Sequence, residues 1–181
     1  MIKKLPKYLS NDEIQELFIY APSEKIRLLM YIQFFLGARI NEAVNLRPAD
    51  ISFKNNQAMI IDGKGGKDRI LPLPARLKEK LYDQKIAATK PYVKMTRQNA
   101  NGLYKKAYQA AVENNREFPI FEFSSHVFRH SAIRFWVETI KDINKVQLLA
   151  GHSKLETTEL YTRLRPGHDI DIRELNNLSF R

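Results

Sequence analysis

The chain has no cysteine. That excludes disulfides, thiolate metal sites and cysteine nucleophiles together, and it leaves the redox compartment open. It also lacks a long hydrophobic run. The longest apolar stretch, 26–38, is broken by Gln33 and is too short to cross a bilayer. The first residues, Met1-Ile-Lys-Lys-Leu-Pro6, have no signal-peptide core, so no membrane role is expected and a cytoplasmic location is the default. No internal repeat and no low-complexity segment interrupts the sequence. Acidic residues are few beside basic ones, 20 against 30, and the formal charge is +10. Such an excess points to a polyanionic partner, nucleic acid being the commonest. The cations are spread along the chain, which favours a folded basic face over a basic arm.

What is present is one domain's worth of sequence. At 181 residues, 44% hydrophobic and 28% charged, the chain can bury a substantial core. Residues 1–9 read as an entry linker. Ser10-Asn-Asp-Glu13 is a capping box that opens a helix to about Tyr20. Pro22 is expected to begin a second helix, running to Leu36 and stopped by Gly37. A short helix follows from Ile40 to Leu46 and halts before Pro48. The period then changes to that of strands at 50–53, 58–62 and 69–73. Asn55-Asn56 marks the first turn and Gly63-Lys-Gly-Gly66 the second. Helices resume at 75–87, 96–113, 126–139 (Ser125 as N-cap) and 142–150, closed by Gly151. Ser153-Lys-Leu-Glu156 is a second capping box, whose helix would carry Tyr161. The expected fold is mainly α with a small three-stranded antiparallel sheet.

Several side chains suggest chemistry. Arg39 and Glu42 are three apart and share a helix face, so a carboxylate could aim a buried guanidinium at an oxyanion. An ordinary surface pair is the plainer reading. Lys64 sits in a Gly-rich hairpin tip, where it could reach a phosphate or protonate a leaving alkoxide. The Gly-Lys-Gly-Gly-Lys string is not a P-loop, because it lacks the spacing and does not precede a helix. His126 and Arg129 share a face at a helix N-terminus, an end that favours anions. His130 is read as structural. No suitably spaced carboxylate accompanies these histidines, so no metal site is expected. His152 lies in a tight turn between Gly151 and Ser153. Tyr161 follows about two turns into a helix. A phenol, with a pKa of about 10, attacks well only when the target's charge is neutralised and its own proton has an acceptor.

Taken together, the motifs resemble the catalytic domain of the tyrosine recombinase (phage integrase) family, Xer-type recombinases included. They are Gly37-Ala-Arg39-Ile-Asn-Glu42, the hairpin Lys64, His126-Val-Phe-Arg129, Leu149-Ala-Gly151-His152, and Tyr161 nine residues beyond His152. All occur in order, and the resemblance covers nearly the whole chain. It implies the tyrosine recombinase catalytic-domain fold over 10–165. It also implies a site-specific DNA recombinase that cleaves and rejoins strands through a 3′-phosphotyrosyl intermediate, without metal or nucleotide cofactor. Tyr161 would be the nucleophile. Arg39 and Arg129 would hold the non-bridging oxygens, and Lys64 would protonate the leaving 5′-oxygen. His126 would accept the tyrosine proton, His152 would bond the phosphate, and Glu42 would orient its neighbours.

The partner implied is double-stranded DNA, bound by a tetramer, with a monomer expected in its absence. The family's N-terminal core-binding domain is not expected here. The tail, 166–181, would either pack on a neighbouring protomer or fold back on its own domain. Arg97, Asn99, Asn101, Lys105 and Lys106 are candidates for DNA contact. Competing readings are a type IB topoisomerase-like relaxing enzyme and a DNA-binding regulator that has lost catalysis. A metal-dependent nuclease is disfavoured, since no acidic cluster is visible.

Overall fold

The computed structural model describes residues 6–61 and 68–151. Lys64, His152 and Tyr161 lie outside the described residues, as do the Gly63–Gly66 turn, the Ser153–Glu156 box and the tail.

The first helix, α1 (Asn11–Ile19), starts as its sequence dictates. The Ser10 hydroxyl accepts from the Glu13 amide at 3.3 Å, and the Glu13 carboxylate accepts from the Ser10 amide at 2.6 Å. The second helix, α2 (Glu24–Phe35), begins two residues later than Pro22 suggests. Ser23, in extended conformation, takes the cap by accepting from the Ile26 amide. Nine of the twelve α2 residues are buried. A helix apolar on every side belongs at the centre, and α2 is the rod about which the domain packs.

Helix α3 (Ile40–Asn45) is followed by a 3-10 turn, Pro48–Asp50, where a strand was expected to start. Asp50 accepts from both the backbone and the guanidinium of Arg47, which curls the chain there. Strand β1 is thereby cut to Ile51–Ser52. Strands β2 (Gln57–Ile60) and β3 (Arg69–Pro72) complete an antiparallel sheet in the order β1-β2-β3, with Ala58 opposite Leu71 and Ile60 opposite Arg69. Asn56, with φ of 51°, makes the first turn where the Asn pair predicts one. Helix α4 (Ala75–Tyr82) ends five residues short of expectation. Leu77 and Leu81 are its buried residues, and the solvated Asp83-Gln-Lys85 stretch offers no further apolar face.

Helix α5 (Arg97–Asn114), capped by Thr96, buries Ala100, Tyr104, Ala107, Tyr108 and Ala111. Helix α6 (His126–Thr139) is buried along most of its length. Helix α7 (Ile143–Ala150) is capped by Asp142 and closed by Gly151 in the left-handed region, φ 64°. An aromatic seam of Phe18, Tyr31, Phe34, Tyr104 and Phe128 joins α1, α2, α5 and α6. The chain between α5 and α6 is pinned by Tyr108. Its hydroxyl donates to the Pro119 carbonyl at 2.8 Å and accepts from the Phe121 amide at 2.7 Å. Its ring stacks on Phe123 at 4.6 Å. That anchor fixes where α6 begins.

Ser125 is not the side-chain cap it was expected to be. Its backbone is already helical and its hydroxyl makes no cap bond. Its carbonyl instead accepts from the buried Gln33 amide at 2.9 Å. The start of α6 is therefore held by the central helix rather than by local capping. The other end of the entry segment is held too. Leu9 is buried and its amide donates to the Ser131 hydroxyl at 2.9 Å.

Candidate active site

Three backbone ends meet around one carboxylate. The turn after α2 carries Gly37 at φ 52°, and a Cβ there would lie 2.5 Å from the Trp136 ring, so only glycine fits. Arg39 follows immediately and Glu42 sits one turn into α3. The Glu42 carboxylate accepts from the Arg39 amide at 2.7 Å and from Arg39 Nη1 at 2.9 Å. The sequence suggested a buried arginine held by a glutamate. The burial is the reverse: the Glu42 side chain is 5% exposed and that of Arg39 39% exposed. The carboxylate is the fixed point and the guanidinium reaches outward from it.

Glu42 has a second cation, Arg69 of β3, which the sequence reading did not single out. Arg69 Nη1 and Nη2 donate to the two carboxylate oxygens at 3.1 and 2.8 Å, a parallel fork. Arg69 Nε donates to the Leu149 carbonyl in the last turn of α7 at 3.1 Å. Strand alternation held the clue. Leu71 and Leu73 are buried, and Arg69 alternates in step with them, so buried acceptors had to exist for it. Burial pushes the Glu42 carboxyl up. The Arg69 bond and charge, the Arg39 amide and the charge of Arg129 outweigh burial and hold it below the ordinary 4.5.

Arg129 is buried in α6. Its Nη1 donates to the Gly37 carbonyl at 2.6 Å and its Nη2 to the Ala150 carbonyl at 2.5 Å. It thus straps the turn before Arg39 to the C-terminal end of α7. His126, three residues earlier, is exposed at the first position of α6. Partial burial, and then the charges of Arg129, Arg39 and Arg97, press its imidazole below the ordinary 6.5. The same interactions show that Arg39, Arg97, His126 and Arg129 share one neighbourhood, drawn from α3, α5 and α6. A neutral imidazole among three guanidiniums can accept a proton, and the cations can hold an oxyanion. His130, read from the sequence as structural, is half-buried. Its ring lies 6.2 Å from that of His126, and burial, then His126 and Arg129, lower it to about 4. It stays neutral at physiological pH.

Of the DNA-contact candidates, Arg97, Asn99, Lys105 and Lys106 are exposed on α5 and Asn101 is half-buried. Among the described residues no three His, Asp or Glu side chains gather as a metal site, and no helix is long and apolar enough to cross a membrane. A cleft of about 710 Å³ opens between α2, α4 and the 84–94 segment, lined by Leu28, Tyr31, Lys80 and Tyr92. None of the arginines or histidines above lines it, and the clustered chemistry, not this hollow, marks the site.

The arrangement of helices and sheet has counterparts among known proteins. The phage integrase family model matches residues 7–168, and the chain belongs to that family. Tyrosine recombinase XerA of Pyrococcus furiosus is 32% identical over 182 residues, a match spanning 97% of this chain and 64% of the relative. Among solved structures, the XerH site-specific recombinase bound to its difH substrate superposes with TM-score 0.66. It is 26% identical, with 90% of this chain and 52% of that one covered. The catalytic domain of bacteriophage HP1 integrase has the same fold at 19% identity, TM-score 0.69, with 89% of each chain covered. The chain spans about three fifths of the length of the curated relatives it matches.

Proposed function

We propose that this chain catalyses site-specific DNA strand exchange, cutting and rejoining duplex DNA through a phosphotyrosine. The observation that carries the reading is the convergence of Arg39, Arg129 and a neutral His126 beside the Glu42–Arg69 pair. Two guanidiniums suit the two non-bridging oxygens of a phosphodiester, and a neutral imidazole suits a phenolic proton. Family membership supplies the remaining assignments on matching residues. Tyr161 Oη attacks phosphorus, forming a 3′-phosphotyrosyl bond and breaking the bond to the 5′-oxygen. His126 takes the phenolic proton, and Lys64 gives one to the departing 5′-oxygen. His152 bonds a non-bridging oxygen.

The exchange conserves phosphodiester energy, so rejoining needs no nucleotide. The partner would be a duplex site engaged by more than one protomer, as a tetramer when both strands are exchanged. The exposed basic residues of α5 would track its backbone. XerA and XerH are named as recombinases, and XerH is solved bound to its difH substrate, which favours recombination over relaxation.

The test mixes purified protein with pooled fragments of its source DNA, quenches with denaturant and sequences the DNA that stays attached. Wild type should give an adduct at one inverted-repeat site, and Tyr161→Phe should bind DNA yet give none. Adducts at every sequence would shift the reading to a relaxing enzyme. Binding without any adduct would shift it to a regulator.

A further inference from the structure

Arg69 touches both Glu42 and the end of α7, and its contacts close a circuit. Arg39 of α3 bonds Glu42, and Glu42 takes the fork of Arg69 from β3. Arg69 Nε holds the Leu149 carbonyl, and the next carbonyl, Ala150, is held by Arg129 of α6. Arg129 returns to the Gly37 carbonyl, two residues before Arg39. Two arcs of this loop lie on α3 and α6, which Arg39, His126 and Arg129 adjoin or occupy, and the other two lie close in sequence to further candidates. Arg69 lies five residues after Lys64 in sequence, and Leu149 three before His152.

The contact with α7 is close as well as polar. A Cβ on Gly151 would lie 3.2 Å from Arg69 Cδ and 3.4 Å from its Nη1, so the guanidinium and its stem pack under that turn. A lysine could supply the charge, but it could not reach two carboxylate oxygens and a carbonyl in three directions at once.

We propose that Arg69 is a positioning residue for the reaction. Its fork fixes the Glu42 carboxylate, which in turn aims the half-exposed Arg39 guanidinium at the scissile phosphate. The same side chain sets the turn from which His152 follows. This rests on the strand-exchange reading. It assigns Arg69 no contact with DNA.

The test uses Arg69→Lys, which keeps charge and stem but loses the fork, with Arg69→Gln as a second variant. Single-turnover adduct formation is measured on an ordinary phosphodiester and on a methylphosphonate, in which one non-bridging oxygen is a methyl group and carries no charge. Arg69→Lys should retain DNA affinity and remain folded at the assay temperature, with a thermal midpoint lowered by the lost fork. It should slow adduct formation roughly 10–100-fold on the phosphodiester, the usual cost of losing an outer-shell partner. Most of that deficit should vanish on the methylphosphonate, as it should for Arg39→Ala, because the charge that Arg39 neutralises is gone. A general structural defect would slow both substrates equally, and equal slowing overturns the proposal. So does an undiminished rate in both variants.

Arginine side-chain NMR decides the point independently of cutting. The Arg39 Nε–H resonance should shift in Arg69→Lys, and an unmoved resonance overturns the proposal. Failure of wild type to form a Tyr161 adduct would instead count against the strand-exchange reading, with the NMR result still judging Arg69.

Discussion

At the residue scale the site is governed by which charges are buried. Glu42 and Arg69 are both buried and fork-bonded. Removing either partner of such a pair costs about 3–5 kcal/mol, because an uncompensated charge stays behind. Histidine protonation works in the opposite direction. The His130 imidazole is held at about 4, against 6.5 in an unfolded chain, chiefly by burial. Between those values the unfolded state binds a proton that the folded state refuses, so its contribution to stability is complete above pH 6.5 and falls as pH drops toward 4. The thermal midpoint of wild type should therefore decline across that window, and His130→Asn should flatten the decline; an unchanged slope would contradict the assigned burial. Lys64 calls for a chemical test. Lys64→Ala should be slow on normal DNA and rescued when the bridging 5′-oxygen is sulfur, a leaving group that needs no proton. Without rescue, Lys64 is not the acid.

At the scale of elements, α5 is the face proposed to meet DNA. From Arg97 through Val112 it has no acidic residue, and Gly102 lies opposite the buried stripe of Ala100, Tyr104 and Ala107. Nothing lies within 4 Å of the Cβ that Gly102 would carry if substituted. An exposed mid-helix glycine costs about 0.5–1 kcal/mol relative to alanine. Gly102→Ala should thus raise the thermal midpoint. It should weaken DNA binding if that face approaches the duplex closely, and unchanged affinity would place the contact elsewhere.

Elements of this kind were legible where their determinants are local. The Ser10–Glu13 box, the Thr96 cap, the Asn56 turn and the Gly151 stop all act within a few residues. Expectation failed where a distant partner decides. Ser125 makes no cap bond because its backbone is already helical, and its carbonyl is held instead by Gln33, 92 residues away. Strand β1 is a local exception, shortened because Asp50 turns back on Arg47 only three residues earlier. Arg69 escaped notice because its partners lie 27 and 80 residues away.

At the scale of the whole molecule, the described residues form one frame in which a buried central helix holds the turn bearing Arg39 against the helix bearing His126 and Arg129. The motif residues were readable as a set because each sits in its own short signature. The gathering of Arg39, Arg69 and Arg129 around Glu42 was not readable, because it depends on how helices and a strand pack. The 166–181 segment carries a weakly amphipathic stripe, Ile170, Ile172, Leu175 and Leu178, whose proposed role in assembly can be tested. Deleting the residues after Pro166 should lower the oligomeric order of complexes on DNA, read by mass photometry, if that stripe docks on a neighbouring protomer. Unchanged order would mean that it folds on its own domain.

The most direct measurement is the chemistry of the covalent link. Protein trapped on DNA would be digested with protease, and the DNA-bound peptide mapped by mass spectrometry, with the broken strand's other end tested for a free hydroxyl. The predicted result is a 3′-phosphate on Tyr161 and a free 5′-hydroxyl opposite it. A link on any other residue, or a 5′-phosphate link, would contradict the account.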